Sequence, residues 1–66
     1  MLKVIEVLAE SDKSWEEAAQ NAVNHASKTL TGIKSIYIKN FEASVGDNGN
    51  IAKYRINAKV TFLLEK

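Results

Sequence analysis

Residues 51–64, Ile-Ala-Lys-Tyr-Arg-Ile-Asn-Ala-Lys-Val-Thr-Phe-Leu-Leu, carry the clearest structural signal in the chain. Apolar side chains occupy every second position from Ala52 to Leu64, and polar side chains occupy the positions between Lys53 and Thr61 in the other phase. Successive side chains of a β-strand point to opposite faces of its sheet. The alternation therefore predicts a strand with one buried face.

A second strand and a hairpin loop precede this segment. Residues 46–50, Gly-Asp-Asn-Gly-Asn, have the composition of a hairpin turn. Residues 47–50 also resemble part of a calcium-binding loop, but the bidentate glutamate and the flanking helices of an EF-hand are missing, so we predict a turn. Residues 33–45 are rich in Ile, Tyr, Phe and Val and predict a strand. Ile36 and Ile38 share one phase and Tyr37 and Phe41 share the other, which predicts a bulge near 38–41.

A helix is predicted to begin after Ser14. Ser14 and Glu17 have the spacing of a capping box, in which the serine oxygen accepts from the third helical amide and the glutamate reaches back. Apolar residues then recur at three- and four-residue spacing on one side: Trp15, Ala18, Ala19, Ala22, Val23, Ala26 and Leu30. Gly32 is predicted to close the helix because glycine readily adopts the left-handed conformation of a C-cap.

The order of these elements predicts the fold class. Residues 2–9 form a short apolar run that predicts a first strand. A right-handed crossover followed by a hairpin allows the third strand to insert between the first two. We therefore expect an α+β, βαββ domain over residues 1–66, with a three-stranded antiparallel sheet wrapped around one amphipathic helix.

The lengths of the elements predict association between subunits. A helix of about 24 Å covers only half of a third strand of about 46 Å. Apolar residues at one end of the strand, either Val60, Phe62 and Leu64 or Ala52 and Tyr54, would then face water in a monomer. A long unpaired sheet edge would also be exposed. Other copies of the chain are the simplest cover.

The composition excludes several classes of function. The formal net charge is +1, with 9 basic and 8 acidic residues, so we expect no nucleic-acid or membrane partner. The chain has no cysteine and one histidine, His25, which excludes disulfides and the usual zinc sites. Glu6 and Glu10 interrupt the first apolar run, so we predict no signal peptide and a cytoplasmic location.

The whole pattern resembles the dodecin family. The likeness lies in residues 14–19, Ser-Trp-Glu-Glu-Ala-Ala, in residues 26–30, Ala-Ser-Lys-Thr-Leu, and in the strand segments 3–7, 54–56 and 59–62. The resemblance implies a hollow shell of twelve βαββ subunits. It also implies a storage protein, not an enzyme, that holds flavin pairs at subunit interfaces.

Two positions of this sequence depart from the flavin-binding pattern. In flavin-binding dodecins a tryptophan of the second strand stacks on the ring system, and Ser35 occupies its position here. A glutamine of the third strand bonds the polar edge of the flavin, and Arg55 occupies that position. Serine offers no ring for stacking, and arginine donates hydrogen bonds without accepting them. The resemblance thus implies flavin as cofactor, while these two residues weigh against the usual mode of flavin binding.

Three residues are candidate ligand contacts: Ser35, Arg55 and Tyr37. Arg55 could hold an anion with its guanidinium, or pair with Glu42, Glu6 or a carboxylate of a neighbouring subunit. Tyr37 could replace the missing stacking surface, or pack against the third strand.

Trp15 and His25 are predicted to have no ligand. We expect Trp15 to be a core or interface anchor. We expect His25 to be a surface or interface residue, because the sequence offers no nucleophile or acid partner fixed beside it.

Two functions from different classes remain. The first is a homo-oligomeric shell, expected to be a dodecamer, that binds or sequesters a planar or anionic small molecule between subunits. The alternative is a structural oligomer without a dedicated small-molecule ligand, which could bind ions between subunits. No catalytic pair, phosphate loop or metal-ligand spacing predicts an enzyme.

Overall fold

The computed structural model of the protein describes residues 1–64. Four elements follow one another: β1 (Leu2–Ser11), α1 (Trp15–Ala26), β2 (Ile33–Val45) and β3 (Ile51–Leu63). The predicted βαββ order and α+β class are confirmed. β1 continues two residues beyond the predicted 2–9, and β3 ends one residue before the predicted 64.

The sheet has the order β1-β3-β2, so the strand with the strongest alternation lies in its centre. Both neighbours of β3 run antiparallel to it. The register between β2 and β3 shifts between Ile38 and Asn40, where a bulge was predicted, and also between Ile33 and Ser35 and between Ser44 and Val45. A bulge adds a residue to one strand and increases the local twist, which helps the sheet to curve around the helix.

The core lies between the helix and one face of the sheet. It is built on alanines of α1, which allow a close approach to the central strand. Its buried members are Ala18, Ala22 and Ala26 of α1 and Ile56, Ala58, Val60 and Phe62 of β3. Because alanine side chains bury little area, this core is thin.

Ser11 and Ser14 organise the connection from β1 to α1. The Ser14 hydroxyl accepts from the Glu17 backbone N–H at 3.0 Å, which confirms the predicted N-cap. The glutamate does not complete the box, because its carboxylate accepts from the Ser11 hydroxyl at 2.8 Å. Ser11 is buried, and its oxygen also accepts from the backbone N–H groups of Lys13 and Ser14.

The predicted helix end at Gly32 is wrong, because α1 ends at Ala26. Beyond that residue the N–H groups of Lys28 and Thr29 bond to carbonyls three residues back, so the chain tightens into a turn. Gly32 has a φ of +73° and serves a different contact. Its carbonyl accepts from the Leu63 N–H at 2.8 Å.

The exposed end of the hydrophobic face is the hairpin end. Val60 and Phe62 are buried, whereas Ala52 beside the hairpin is exposed and Tyr54 is half-buried. Leu64, which follows the opposite end of β3, is exposed as well. The molecule is elongated, with extents of 51 × 19 × 13 Å. Its radius of gyration is 13.5 Å, against about 11 Å for a compact chain of this length. Within residues 1–64, no helix has the length and hydropathy required to cross a membrane.

Candidate functional site

The sheet face turned away from the helix, here called the outer face, carries the predicted site residues. Because side chains alternate along each strand, it is the face opposite the buried residues of β3. The outer face is formed by Leu2, Val4, Glu6, Leu8 and Glu10 of β1, by Lys53, Arg55, Asn57, Lys59, Thr61 and Leu63 of β3, and by Ser35, Tyr37, Asn40 and Glu42 of β2.

Arg55 lies between two carboxylates in a row that crosses the whole sheet. Its cross-strand partners are Glu10 on β1 and Glu42 on β2. Guanidinium nitrogens lie 3.7 Å from a carboxylate oxygen of each glutamate. All three side chains are between 41% and 66% exposed, so each pair contributes less than about 1 kcal/mol. The ion pairing proposed as one alternative for Arg55 is present, with Glu10 in place of Glu6.

The next row, Leu8–Asn57–Asn40, contains no charged side chain. These three residues line a pocket of 310 Å³ together with Arg55 and Glu42. Leu8 is 74% exposed and provides an apolar wall. Asn40 directly follows the bulge of β2, so the depression lies beside a point where the ladder is interrupted and the local twist increases.

Tyr37 and Lys39 lie on the outer face outside the pocket lining, on the side away from Arg55. Tyr37 is 65% exposed and pairs across the strands with Lys59. The ammonium group of Lys39, the extra residue of the bulge, reaches over β3 to the Glu6 carboxylate at 3.5 Å.

The three predicted site residues share the outer face but do not form one cluster. Ser35 pairs with Thr61, which is six residues from Arg55 along β3, or about 20 Å. Tyr37 lies between these positions. Their roles as ligand contacts stay predictions, and within one chain a single small ligand cannot reach both Ser35 and Arg55.

Sequence reasoning missed Leu8, Asn40 and Asn57 as a group. The sequence could have singled out Leu8, because it is an apolar residue in phase with Glu6 and Glu10 on the polar side of β1. The proximity of Asn40 and Asn57 depends on the register after the bulge, which alternation in the sequence does not determine.

Trp15 is an anchor on the helix side of the sheet, as predicted. Its ring packs edge-on against Phe41 and Tyr54, with centroids at 5.9 and 4.9 Å. The indole N–H donates to the Glu42 carbonyl at 3.0 Å. A mostly apolar groove of 280 Å³ runs beside it, between α1 and Ile38.

The two other features considered from the sequence, His25 and residues 46–50, lie at the end of a helix and in a turn. His25 is exposed in the last turn of α1. Residues 46–50 form the predicted turn, in which the Gly46 and Asn50 backbones bond to each other. Over the part of the chain that the structure describes, no three acidic or histidine side chains come together to hold a metal ion.

These features define a class of protein: a small βαββ domain whose three-stranded antiparallel sheet covers one helix and leaves its other face open. The sequence matches the dodecin family over residues 1–65. The chain belongs to the dodecin family.

Known relatives agree with this assignment. The calcium dodecin of Mycobacterium tuberculosis is 35% identical over 60 residues, which cover 91% of this chain and 83% of that protein. Its crystal structure superimposes with a TM-score of 0.84, at 32% identity and with coverage of 98% and 91%. The dodecin of Streptomyces coelicolor has a TM-score of 0.93 at 29% identity, with coverage of 100% and 93%. The dodecin of Streptomyces davaonensis has a TM-score of 0.93 at 26% identity, with coverage of 100% and 96%.

Proposed function

We propose that this chain is the subunit of a homo-oligomeric binding protein that holds a small molecule against the outer face, at the boundary between subunits. The observation that carries the proposal is the outer face itself. Its β1 residues Leu2, Val4 and Leu8 are 62%, 56% and 74% exposed. A row of large apolar side chains beside an open pocket is typical of a surface that another molecule covers.

The shape of the subunit supports association. β1 and β2 are both edge strands, so each presents unpaired backbone groups along its outer side. Within residues 1–64 the buried core contains three side chains larger than alanine, and a chain of 66 residues with such a thin core is marginal by itself. Burial of the exposed apolar residues between copies supplies the missing hydrophobic stabilisation.

The expected assembly is a cytoplasmic dodecamer, as the family resemblance implies. Within it, the outer-face pocket of 310 Å³ is open on one side in the single chain. A second subunit would close that side and complete the site. The proposed role is binding and storage without catalysis, in agreement with membership of the dodecin family.

Native mass spectrometry with a charge substitution in the apolar row tests this proposal. We expect the wild-type chain to give a dodecamer and Leu8→Lys to shift it to smaller species, since a buried ammonium without a partner is strongly unfavourable. His25→Lys, on the exposed side of α1, is the matched control and should assemble normally. A wild-type chain that stays monomeric at micromolar concentration would refute the proposal.

A second candidate ligand is calcium held between subunits. It is favoured by the calcium dodecin of Mycobacterium tuberculosis, at 35% identity. Hard oxygen ligands are available in Glu10 and Glu42, which face the same side of the sheet. Because residues 1–64 of one chain bring no three such ligands together, the ion would require carboxylates from two subunits.

Calorimetric titration of the assembled protein with calcium, and with magnesium for comparison, tests this candidate. Saturable calcium binding that is lost in Glu10→Gln and Glu42→Gln would support it. The exposed Glu16→Gln is the control. Equal heats in all three variants would exclude these carboxylates as ligands.

A further inference from the structure

The hairpin loop contains the one asparagine of the sequence that a glycine follows. This pair is Asn48-Gly49, and every other asparagine precedes alanine, histidine, phenylalanine or isoleucine. The backbone nitrogen of the next residue can attack the side-chain amide of an asparagine, and a side chain on that next residue obstructs the attack. Glycine has no side chain to do so. The sequence therefore singles out Asn48 as the amide most open to this reaction.

The structure places this pair in open space. Asn48 and Gly49 are exposed, and a Cβ on Gly49 would meet no atom within 4 Å. The other asparagines lie in regular elements or before a branched side chain: Asn21 and Asn24 in α1, Asn40 in β2, Asn57 in β3, and Asn50 before Ile51. A regular backbone conformation holds the following nitrogen in a fixed position, whereas the hairpin loop is free of that constraint.

Two hydrogen bonds act on the reacting groups of the loop in opposite ways. The Asn50 N–H donates to the Asn48 side-chain oxygen at 3.0 Å. A donor on this oxygen polarises the amide carbon and stabilises the negative charge that develops during attack. The Gly49 N–H donates to the Gly46 carbonyl at 2.9 Å, and this bond must open before the nitrogen can lose its proton. Because one exposed backbone hydrogen bond is weak in net terms, it slows the attack by only about two- to tenfold.

We propose that Asn48 is a self-modifying site, which converts to aspartate or isoaspartate through a succinimide formed with Gly49. The Gly49 nitrogen releases its proton to water and forms a bond to the side-chain carbon of Asn48. The carbon–nitrogen bond of the side-chain amide breaks, and ammonia leaves. Water then adds to either carbonyl of the succinimide and opens the ring to one of the two acids. The balance is one water consumed and one ammonia released, without oxidant or reductant.

The conversion changes the charge of the hairpin end. A new carboxylate would lie next to Asp47, and the formal net charge of the chain would fall from +1 to 0, because one negative charge is added. Aspartate keeps an oxygen that accepts from the Asn50 N–H, whereas isoaspartate inserts a methylene into the main chain of the loop. Val45 and Ile51 are exposed beside the loop. The new charge therefore lies near apolar residues that the single chain leaves uncovered.

Peptide mapping by mass spectrometry tests the proposal on the whole folded chain, incubated in neutral and in mildly alkaline buffer. Trypsin cleavage after Lys39 and Lys53 gives a peptide of residues 40–53, in which fragment ions locate any change of mass. We expect an amide-to-acid conversion at Asn48, faster in the alkaline buffer because the attacking nitrogen must lose a proton. Asn48→Gln is the matched control. It keeps an amide but requires a larger ring, which forms far more slowly, so this position should stay unconverted.

A parallel incubation in guanidinium chloride measures the effect of the fold. The unfolded chain lacks both hydrogen bonds of the loop, so the folded chain should convert at Asn48 no more than about tenfold more slowly. Slower conversion of the folded chain than this would show that the hairpin protects the amide, and would overturn the proposal. Conversion of Asn40 or Asn57 in the folded chain at the same rate as Asn48 would overturn it as well.

Discussion

Two glycines with similar positive φ angles provide a quantitative test of the packing between the α1–β2 connection and β3. Gly32 has a φ of +73° and Gly49 a φ of +83°, so an alanine at either position must adopt the left-handed conformation. That conformation costs an L-residue about 1–2 kcal/mol. The surroundings differ. A Cβ on Gly32 would lie 2.9 Å from the Leu63 carbonyl oxygen, whereas a Cβ on Gly49 would have nothing within 4 Å.

The expected costs follow from this difference. Gly49→Ala should lower the free energy of unfolding by about 1 kcal/mol, because the conformational cost is partly offset by the lower entropy of the unfolded chain. Gly32→Ala should lower it by about 3 kcal/mol. Its extra cost arises because the backbone at Leu63 must move away and stretch the 2.8 Å hydrogen bond from the Leu63 N–H to the Gly32 carbonyl.

Urea denaturation followed by circular dichroism measures both values. Wild type, Gly32→Ala and Gly49→Ala must be compared at one protein concentration, because association makes the apparent stability depend on it. The quantity of interest is the difference between the two variants, in which the shared conformational cost cancels. Equal destabilisation would show that the Gly32–Leu63 contact does not constrain the fold, and would refute the reasoning.

Further substitutions test the core, the helix start and the charged row. Ala22→Leu places a large side chain where α1 meets β3, and should lower the free energy of unfolding by about 1–3 kcal/mol in the same urea assay; unchanged stability would mean that the core is loosely packed. Ser14→Ala removes the N-cap hydrogen bond and should cost about 1 kcal/mol, with Ser44→Ala in β2, away from both helix ends, as the comparison. Arg55→Ala should change thermal stability by less than about 1 kcal/mol, since its ion pairs are exposed, and a larger loss would indicate burial between subunits.

Much of the candidate site could not have been predicted from the sequence. The polar face of Arg55 was predicted correctly because strand alternation is a local property, and Tyr37 lies on the same face of the sheet. Their distance from each other, and the pairing of Arg55 with Glu10, depend on the register between strands that are far apart in the chain. The amide pair of Asn40 and Asn57 also depends on that register.

The sequence by itself determined the elements, the hairpin, the N-cap at Ser14 and the βαββ order, since each follows from local periodicity or turn chemistry. Only the tertiary structure decided where the helix ends and what Gly32 does. After Ala26 the chain can either continue α1 or turn toward β3. The hydrogen bond from the Leu63 N–H to the Gly32 carbonyl forms when the chain turns toward β3. Only the tertiary structure, likewise, brought Leu8, Asn57 and Asn40 into one row, because three strands must pair in a single register before their side chains become neighbours.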